Sequence, residues 1–242
     1  MTDNRLSITD EKAHYLLSVL RCRKGDHLIV FDGRGNCFMA VIGEVRKREV
    51  FADILETFSC NLESPLHSIL VQGILKGEKM DMVIQKTTEL GVNEIVPAVT
   101  ERSQLRDTRR VKRWRKIAEE ASRQSGRSVV PVVHEPVELR KYLTSSAFQS
   151  ASQGFIFYEE GGISLKHAFH MMQDARYTIH DRANKGGLIC SIGPEGGFTK
   201  EEVQFAEEQG LTVVSLGKRV LRAETAAISA VTLVQYLFGD MS

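Results

Sequence analysis

The chain has 242 residues, 42% hydrophobic and 26% charged, the profile of an ordinary globular protein long enough to bury a sizeable core. Its longest apolar runs are too short to span a bilayer, and the polar stretch Met1 to Asp10 lacks the apolar core of a signal peptide, so the expected location is cytoplasmic, with no membrane partner. The net charge of +1 argues neither for nor against nucleic acid, because distribution matters more than the sum.

The first sixty or so residues read as mostly β. A short helix-like piece at His14 to Leu20 precedes the turn signal Lys24-Gly25-Asp26. Strands are expected at His27 to Phe31, Cys37 to Val45 and Val50 to Thr57, the first two joined by the hairpin residues Gly33-Arg34-Gly35-Asn36. Short strands with tight turns suggest a small barrel. Phe58 to His67 has linker composition. Four scattered cysteines, Cys22, Cys37, Cys60 and Cys190, form no C-x-x-C pair and read as reduced thiols rather than a zinc site or disulfide framework.

The rhythm then changes. A strand at Ser68 to Leu75, a helix at Gly77 to Gly91 and a strand at Glu94 to Val99 make a βαβ unit, hence a parallel sheet. Helices follow at about Thr108 to Gln124, Val137 to Leu143 and Leu165 to Gln173. Strands are expected at Val129 to Val133, Phe155 to Tyr158, Gly187 to Ile192 and Leu211 to Leu216. A capping box, Thr199 to Glu202, opens another helix that closes at Gly210. The last helix runs to about Phe238. The expected fold class is α/β: a small β domain over residues 1–65, then an α/β domain over residues 66–242.

Three segments carry candidate chemistry. Gly193-Pro194-Glu195-Gly196-Gly197 follows a buried strand and precedes a capped helix, the position where α/β proteins bind ligands. On composition alone an ordinary turn is the leading reading, and neither a dinucleotide fingerprint nor a Walker A loop is present. The second segment, Leu216 to Thr225, follows the last strand. Glu224 suits a helix N-terminus, but Arg219 and Arg222 stand at the wrong end of the dipole and call for an external anion. The third is basic. Glu101 to Arg127 holds ten Lys or Arg against four Asp or Glu. With few acids at i,i+4 spacing, Arg102, Arg106, Arg109, Arg110 and Arg113 read as phosphate contacts, and Trp114 as core. His167 and His170 share a helix face but complete no metal set, so no metal is expected.

Taken together, Gly193-Pro194-Glu195-Gly196-Gly197-Phe198 and Leu216-Gly217-x-x-x-Leu221-Arg222-x-Glu224-Thr225-Ala226 resemble the RsmE-type 16S rRNA uridine-N3 methyltransferases of the SPOUT superfamily. Val19-Leu20-Arg21 with Lys24-Gly25-Asp26 resembles that family's N-terminal PUA-like barrel. Lys76-Gly77-x-Lys79-Met80-Asp81, Gln85-Lys86-x-Thr88-Glu89-Leu90-Gly91-Val92, Glu101-Arg102-Ser103 and Gln124-Ser125-Gly126-Arg127 match in order along nearly the whole chain. Ser122-Arg123 departs from the small residue and Glu usual there.

The resemblance implies a C-terminal SPOUT-like domain with a trefoil knot, a homodimer, and S-adenosylmethionine as cofactor. Its cofactor-binding residues would be Ile192, Gly193, Glu195, Gly196, Gly197, Ser215, Leu216, Gly217, Val220, Leu221, Thr225 and Ala226. Glu224 would take the uracil N3 proton and Arg222 would steady the base or the backbone. Arg21 and Arg23 of the barrel, with Gln124, Arg127 and the basic segment, would grip 16S rRNA of the small ribosomal subunit. The competing readings are a non-catalytic RNA-binding module with a vestigial cofactor pocket and, more remotely, an unrelated nucleotide-dependent α/β enzyme.

Overall fold

The computed structural model describes residues 4–59, 62–104, 109–150, 153–174 and 187–241. Cys60, Asn61, Arg106 and the expected helix start at Thr108 lie outside these residues. The chain divides into two compact units, one ending at Glu63 and the other starting at Ser64.

The first unit is a four-stranded antiparallel sheet of β1 (Arg5–Thr9), β2 (His27–Phe31), β3 (Asn36–Arg46) and β4 (Glu49–Ser59), in the order β1-β4-β3-β2. The edge strands β1 and β2 are not neighbours, so among the described residues the expected barrel is a sheet open at both edges. Leu6 and Ile8 alternate with more exposed neighbours along β1, a period-2 pattern inside a segment whose overall polarity had concealed it. A short helix, α1 (Asp10–His14), runs into a π-helical turn at Tyr15–Val19. Ala13, Ile42 and Val50 form the small core. Cys37 is disulfide-bonded, which corrects the reading of four reduced thiols; Cys22 and Cys190 are free. Cys37 stands opposite Phe58, near the end of the β3–β4 ladder, where two chain segments run close together.

The second unit contains strands β5 (Ser68–Gly73), β6 (Glu94–Val99), β7 (Val132–Val133), β8 (Val137–Glu138), β9 (Gln153–Phe157), β10 (Ile163–Ser164), β11 (Leu188–Ile192) and β12 (Thr212–Ser215). Its helices are α2 (Lys79–Glu89), α3 (Val111–Ser125), α4 (Leu139–Leu143), α5 (Ser146–Ser150), α6 (Leu165–Asp174), α7 (Lys200–Glu208) and α8 (Ala223–Phe238). The sheet runs β10-β12-β9-β11-β5-β6-β7, with β8 also on β6, and every described pairing is parallel. The two-residue strand β8 occupies the start of the segment expected to be helical from Val137.

All six residues of β5 are buried, as expected of a strand covered on both faces. The period of two sorts them. Leu70 joins Met80, Val83 and Ile84 of α2, Trp114 of α3 and Ala227, Ala230 and Val234 of α8. Ile69 and Val71 join Leu139 and Leu143 of α4 and Val203 and Ala206 of α7. The result is three layers around one sheet. Trp114 is 1% exposed, a core residue and not a stacking surface. The Thr199 hydroxyl accepts from Glu202 N–H at 3.2 Å, and the Glu202 carboxylate accepts from Thr199 N–H at 3.0 Å, closing the expected capping box.

At the edge where the strands begin, Glu94 bridges His67 at 2.9 Å and His134 at 2.7 Å. Hydrogen bonds from His134 first and His67 second hold its carboxyl at about 2. The folded value lies below the ordinary one, so the stabilisation is present above about pH 4.5 and fades as pH falls toward 2. Discounted for partial solvent exposure, it amounts to about 1–2 kcal/mol. Glu94→Gln is therefore expected to lower the urea midpoint at pH 6, with the two proteins converging as pH drops below 4.5. A gap that stays constant across that range would refute the bridge.

Candidate active site

Parallel strands deliver their carboxyl ends to one edge of a sheet, which is where α/β folds place ligands. Here register brings four such ends together. Ile192 of β11 stands opposite Phe157 of β9 and Gln72 of β5, and Val214 of β12 is opposite Phe157 from the other side. The loops leaving β9, β11 and β12, with the start of α8, enclose a cavity of about 220 Å³.

The β11 loop turns tightly, with Gly197 N–H donating to Pro194 O at 2.9 Å. A Cβ at Gly193 would lie 3.0 Å from Gly197 C and Phe198 N, so the backbone folds onto itself where no side chain fits. Gly197 adopts φ +67, and the Glu159 carboxylate occupies the space a Cβ would take. Buried Gln72 donates to Gly193 O at 3.2 Å. Glu195 accepts from Lys76 N–H at 3.0 Å and approaches the Lys79 ammonium at 3.5 Å. Burial would raise its carboxyl; those donors and the lysine charge outweigh burial and hold it below the usual range. Arg102 donates to Gly196 O at 2.8 Å and Phe198 O at 3.2 Å.

The β12 loop closes through Ser215, whose hydroxyl accepts from Gly217 N–H and donates to Gly217 O, both at 3.2 Å. Gly217 has φ +111, conformational space that favours glycine. Arg222 is the N-cap of α8 and is exposed. Glu224 lies in the first turn, and its Oε2 is buried without a hydrogen-bond partner. An unpartnered buried carboxylate oxygen is costly unless something else completes it. Val220 is 80% exposed, an apolar wall turned outward.

Of the residues expected at a cofactor site, Ile192, Gly193, Glu195, Gly197, Ser215, Leu216, Gly217, Val220, Leu221 and Ala226 line this cavity, together with Arg222 and Glu224. Gly196 and Thr225 do not. Arg219, which the sequence suggests faces an external anion, lines it too. Sequence reasoning missed Lys79, Phe157, Tyr158, Glu159 and Phe198. The placement of β9 between β11 and β12 explains the middle three, and that strand order has no local signature.

The basic segment is corrected in part. Arg127 is 3% exposed and donates to Thr88 O and Val92 O, both at 2.8 Å, so it cannot face RNA. Arg113 pairs with Asp81 at 2.9 Å, Arg115 with Glu135 at 3.0 Å, and Arg110 donates to Gly77 O at 2.8 Å. The acids and carbonyls that satisfy these arginines lie on other elements, so counting i,i+4 partners could not find them. Arg109, Gln124, Arg21 and Arg23 are exposed. Arg106 lies outside the described residues.

A family model for an RNA methyltransferase domain matches residues 62–235, and one for an RNA methyltransferase PUA domain matches residues 8–55. The chain is 33% identical over 238 residues to ribosomal RNA small subunit methyltransferase E of Buchnera aphidicola from Acyrthosiphon pisum, covering 96% of this chain and 88% of that one. It is 32% identical to the protein of the same name from Bacillus subtilis, covering 95% and 89%. Among solved structures it superposes on ribosomal RNA small subunit methyltransferase E of Neisseria gonorrhoeae bound to S-adenosyl methionine. That match has a TM-score of 0.84 at 33% identity and covers 98% and 94% of the two chains. A putative methyltransferase of Legionella pneumophila in complex with the same cofactor gives TM-score 0.84 at 33% identity, covering 98% and 93%.

Proposed function

The chain belongs to the ribosomal RNA small subunit methyltransferase E family, and we propose on that basis that it is an S-adenosylmethionine-dependent enzyme methylating N3 of a uridine in 16S rRNA. The observation that carries the reading is the β9–β11–β12 cavity. Its walls combine glycine backbone that admits close approach, apolar Leu216, Val220 and Leu221, and the orphaned Glu224 oxygen. The glycine backbone and apolar walls suit the adenosyl part of such a cofactor, and the Glu224 oxygen is left for a proton donor. When bound, S-adenosylmethionine supplies a methyl group on a sulfonium sulfur.

The remaining chemistry belongs to side chains of this protein. Uracil N3 carries a proton on its pairing edge, so the base must be unpaired to reach the pocket. Glu224 accepts that proton. Arg222, exposed at the helix mouth, offsets negative charge on the uracil oxygens or holds an RNA phosphate. The Ile192–Gly197 and Ser215–Leu221 loops orient the reactants, and orientation of this kind supplies much of the acceleration of a displacement.

The N-terminal unit contributes Arg21 and Arg23 as RNA contacts, and the second unit contributes Arg109 and Lys112 of the basic segment, all exposed. Arg109→Ala with Lys112→Ala is expected to weaken rRNA binding and reduce its salt slope by up to about 2. An unchanged slope would remove them from that surface. The enzyme acts as a knotted homodimer in this reading. Support for the dimer comes from α2 and α8, which pack together and leave Met82, Leu233 and Tyr236 exposed by 48%, 40% and 57%.

The deciding experiment incubates unmodified small subunits with enzyme and cofactor and analyses the rRNA nucleosides by mass spectrometry. 3-Methyluridine is the expected product. No methylated nucleoside, with rRNA bound but no cofactor binding by calorimetry, would instead favour the RNA-binding module with a vestigial pocket.

A further inference from the structure

Arg102 opens the basic segment and is exposed, yet its guanidinium is engaged by the β11 loop. Its guanidinium Nη1 reaches two carbonyls of the β11 loop, Gly196 O at 2.8 Å and Phe198 O at 3.2 Å. Its aliphatic stem lies against Gly196, where an added Cβ would meet Arg102 Cβ at 3.2 Å and Cδ at 3.4 Å. One side chain thus grips the loop from the face that the cavity leaves free: Gly196 is the loop glycine that does not line it, while Gly193, Glu195 and Gly197 do.

A strut works only from a fixed base, and this one is fixed. Ser103 Oγ accepts from Thr100 N–H at 3.0 Å, and Ser103 N–H donates to Thr100 O at 3.1 Å. Glu101 N–H donates to Glu202 at 2.9 Å, while the other Glu202 oxygen holds Thr199 N–H, immediately after the loop. Glu202 is 2% exposed. The turn after β6 and the loop after β11 are therefore joined twice, once through buried Glu202 and once through Arg102.

We propose that Arg102 is a positioning residue for the cofactor, setting the shape of the Gly193–Phe198 wall, and not a phosphate ligand. The inference rests on the reading of the cavity as the S-adenosylmethionine site. Substitution by Lys separates the two roles. Lysine keeps the charge a phosphate needs but ends one bond short of the guanidinium nitrogen and lacks its planar fork.

The test is calorimetric titration of S-adenosylmethionine into the full-length wild-type, Arg102→Lys and Arg102→Ala proteins. Alongside it, rRNA affinity, and KM and kcat for the cofactor, are measured on each. The Ala variant is expected to bind cofactor roughly 10- to 100-fold more weakly, with its loss in KM and kcat near normal at saturation. The Lys variant is expected to share much of the cofactor defect while keeping rRNA affinity. Wild-type cofactor affinity in both variants, or a defect confined to rRNA and rescued by Lys, would overturn the proposal. Should the Ala variant fail to fold, the Lys variant decides. Failure of the wild-type protein to bind cofactor would overturn both this proposal and the cavity's assignment; normal wild-type binding with unaffected variants overturns this proposal alone.

Discussion

Replacing Glu224 by Gln is expected to lower turnover by about 10²- to 10⁴-fold while cofactor affinity stays within about twofold, the range a single general base contributes. The carboxyl sits in the first turn of α8 and lines the cavity, and its buried Oε2 has no partner. Gln preserves the volume and one acceptor oxygen, so packing at the helix mouth is retained. What it removes is the capacity to take a proton. Single-turnover methylation of small subunits, with cofactor affinity measured on the same preparation, checks the expectation. Turnover within about threefold of wild type would end the assignment of Glu224 as base and leave it a binding or helix-capping role.

Gly73→Ala is expected to reduce cofactor affinity at least about 100-fold, although Gly73 does not line the cavity. Gly73 ends β5, and a Cβ there would fall 2.5 Å from Pro194 N and 2.8 Å from Gly193 C. Those are backbone atoms, and they cannot turn aside as a flexible side-chain tip would. The loop must move outward, which also stretches the 3.2 Å bond from Gln72 to Gly193 O. Displacements near 1 Å at a positioned site cost on the order of 100-fold. Calorimetry checks the affinity, and a retained unfolding transition establishes that the loss is local. An affinity within fivefold of wild type would mean that the loop tolerates the shift.

The two predictions differ in how they became visible. Glu224 was visible in the sequence as part of the Leu216–Ala226 motif, whose family resemblance gave it the role of base, although a carboxylate at a helix N-terminus is ordinary by itself. Gly73 had no such signal, because a glycine closing an apolar strand is ordinary until another loop crosses it. Arg127 shows the reverse error. It was expected to grip RNA, but the carbonyls that hold it in the interior, Thr88 O and Val92 O, come from other parts of the fold. Cys37 is a similar case, since nothing in its neighbours along the chain marks it as disulfide-bonded.

By itself the sequence determined what local physics can encode. Alternating and helical periodicities set out the strands and helices of the β and α/β units, the Thr199–Glu202 box started α7, and Gly193 to Gly197 and Ser215 to Gly217 marked the loops. Only the tertiary structure decided which strand ends meet. The insertion of β9 between β11 and β12 brings Phe157, Tyr158 and Glu159 to the cavity, and the crossing of Gly193–Pro194 over Gly73 leaves no room for a side chain there. The reason is range: backbone propensity and side-chain period act over a few residues, whereas strand order and loop crossings join residues far apart in sequence, 121 between Gln72 and Gly193, and leave no periodic trace.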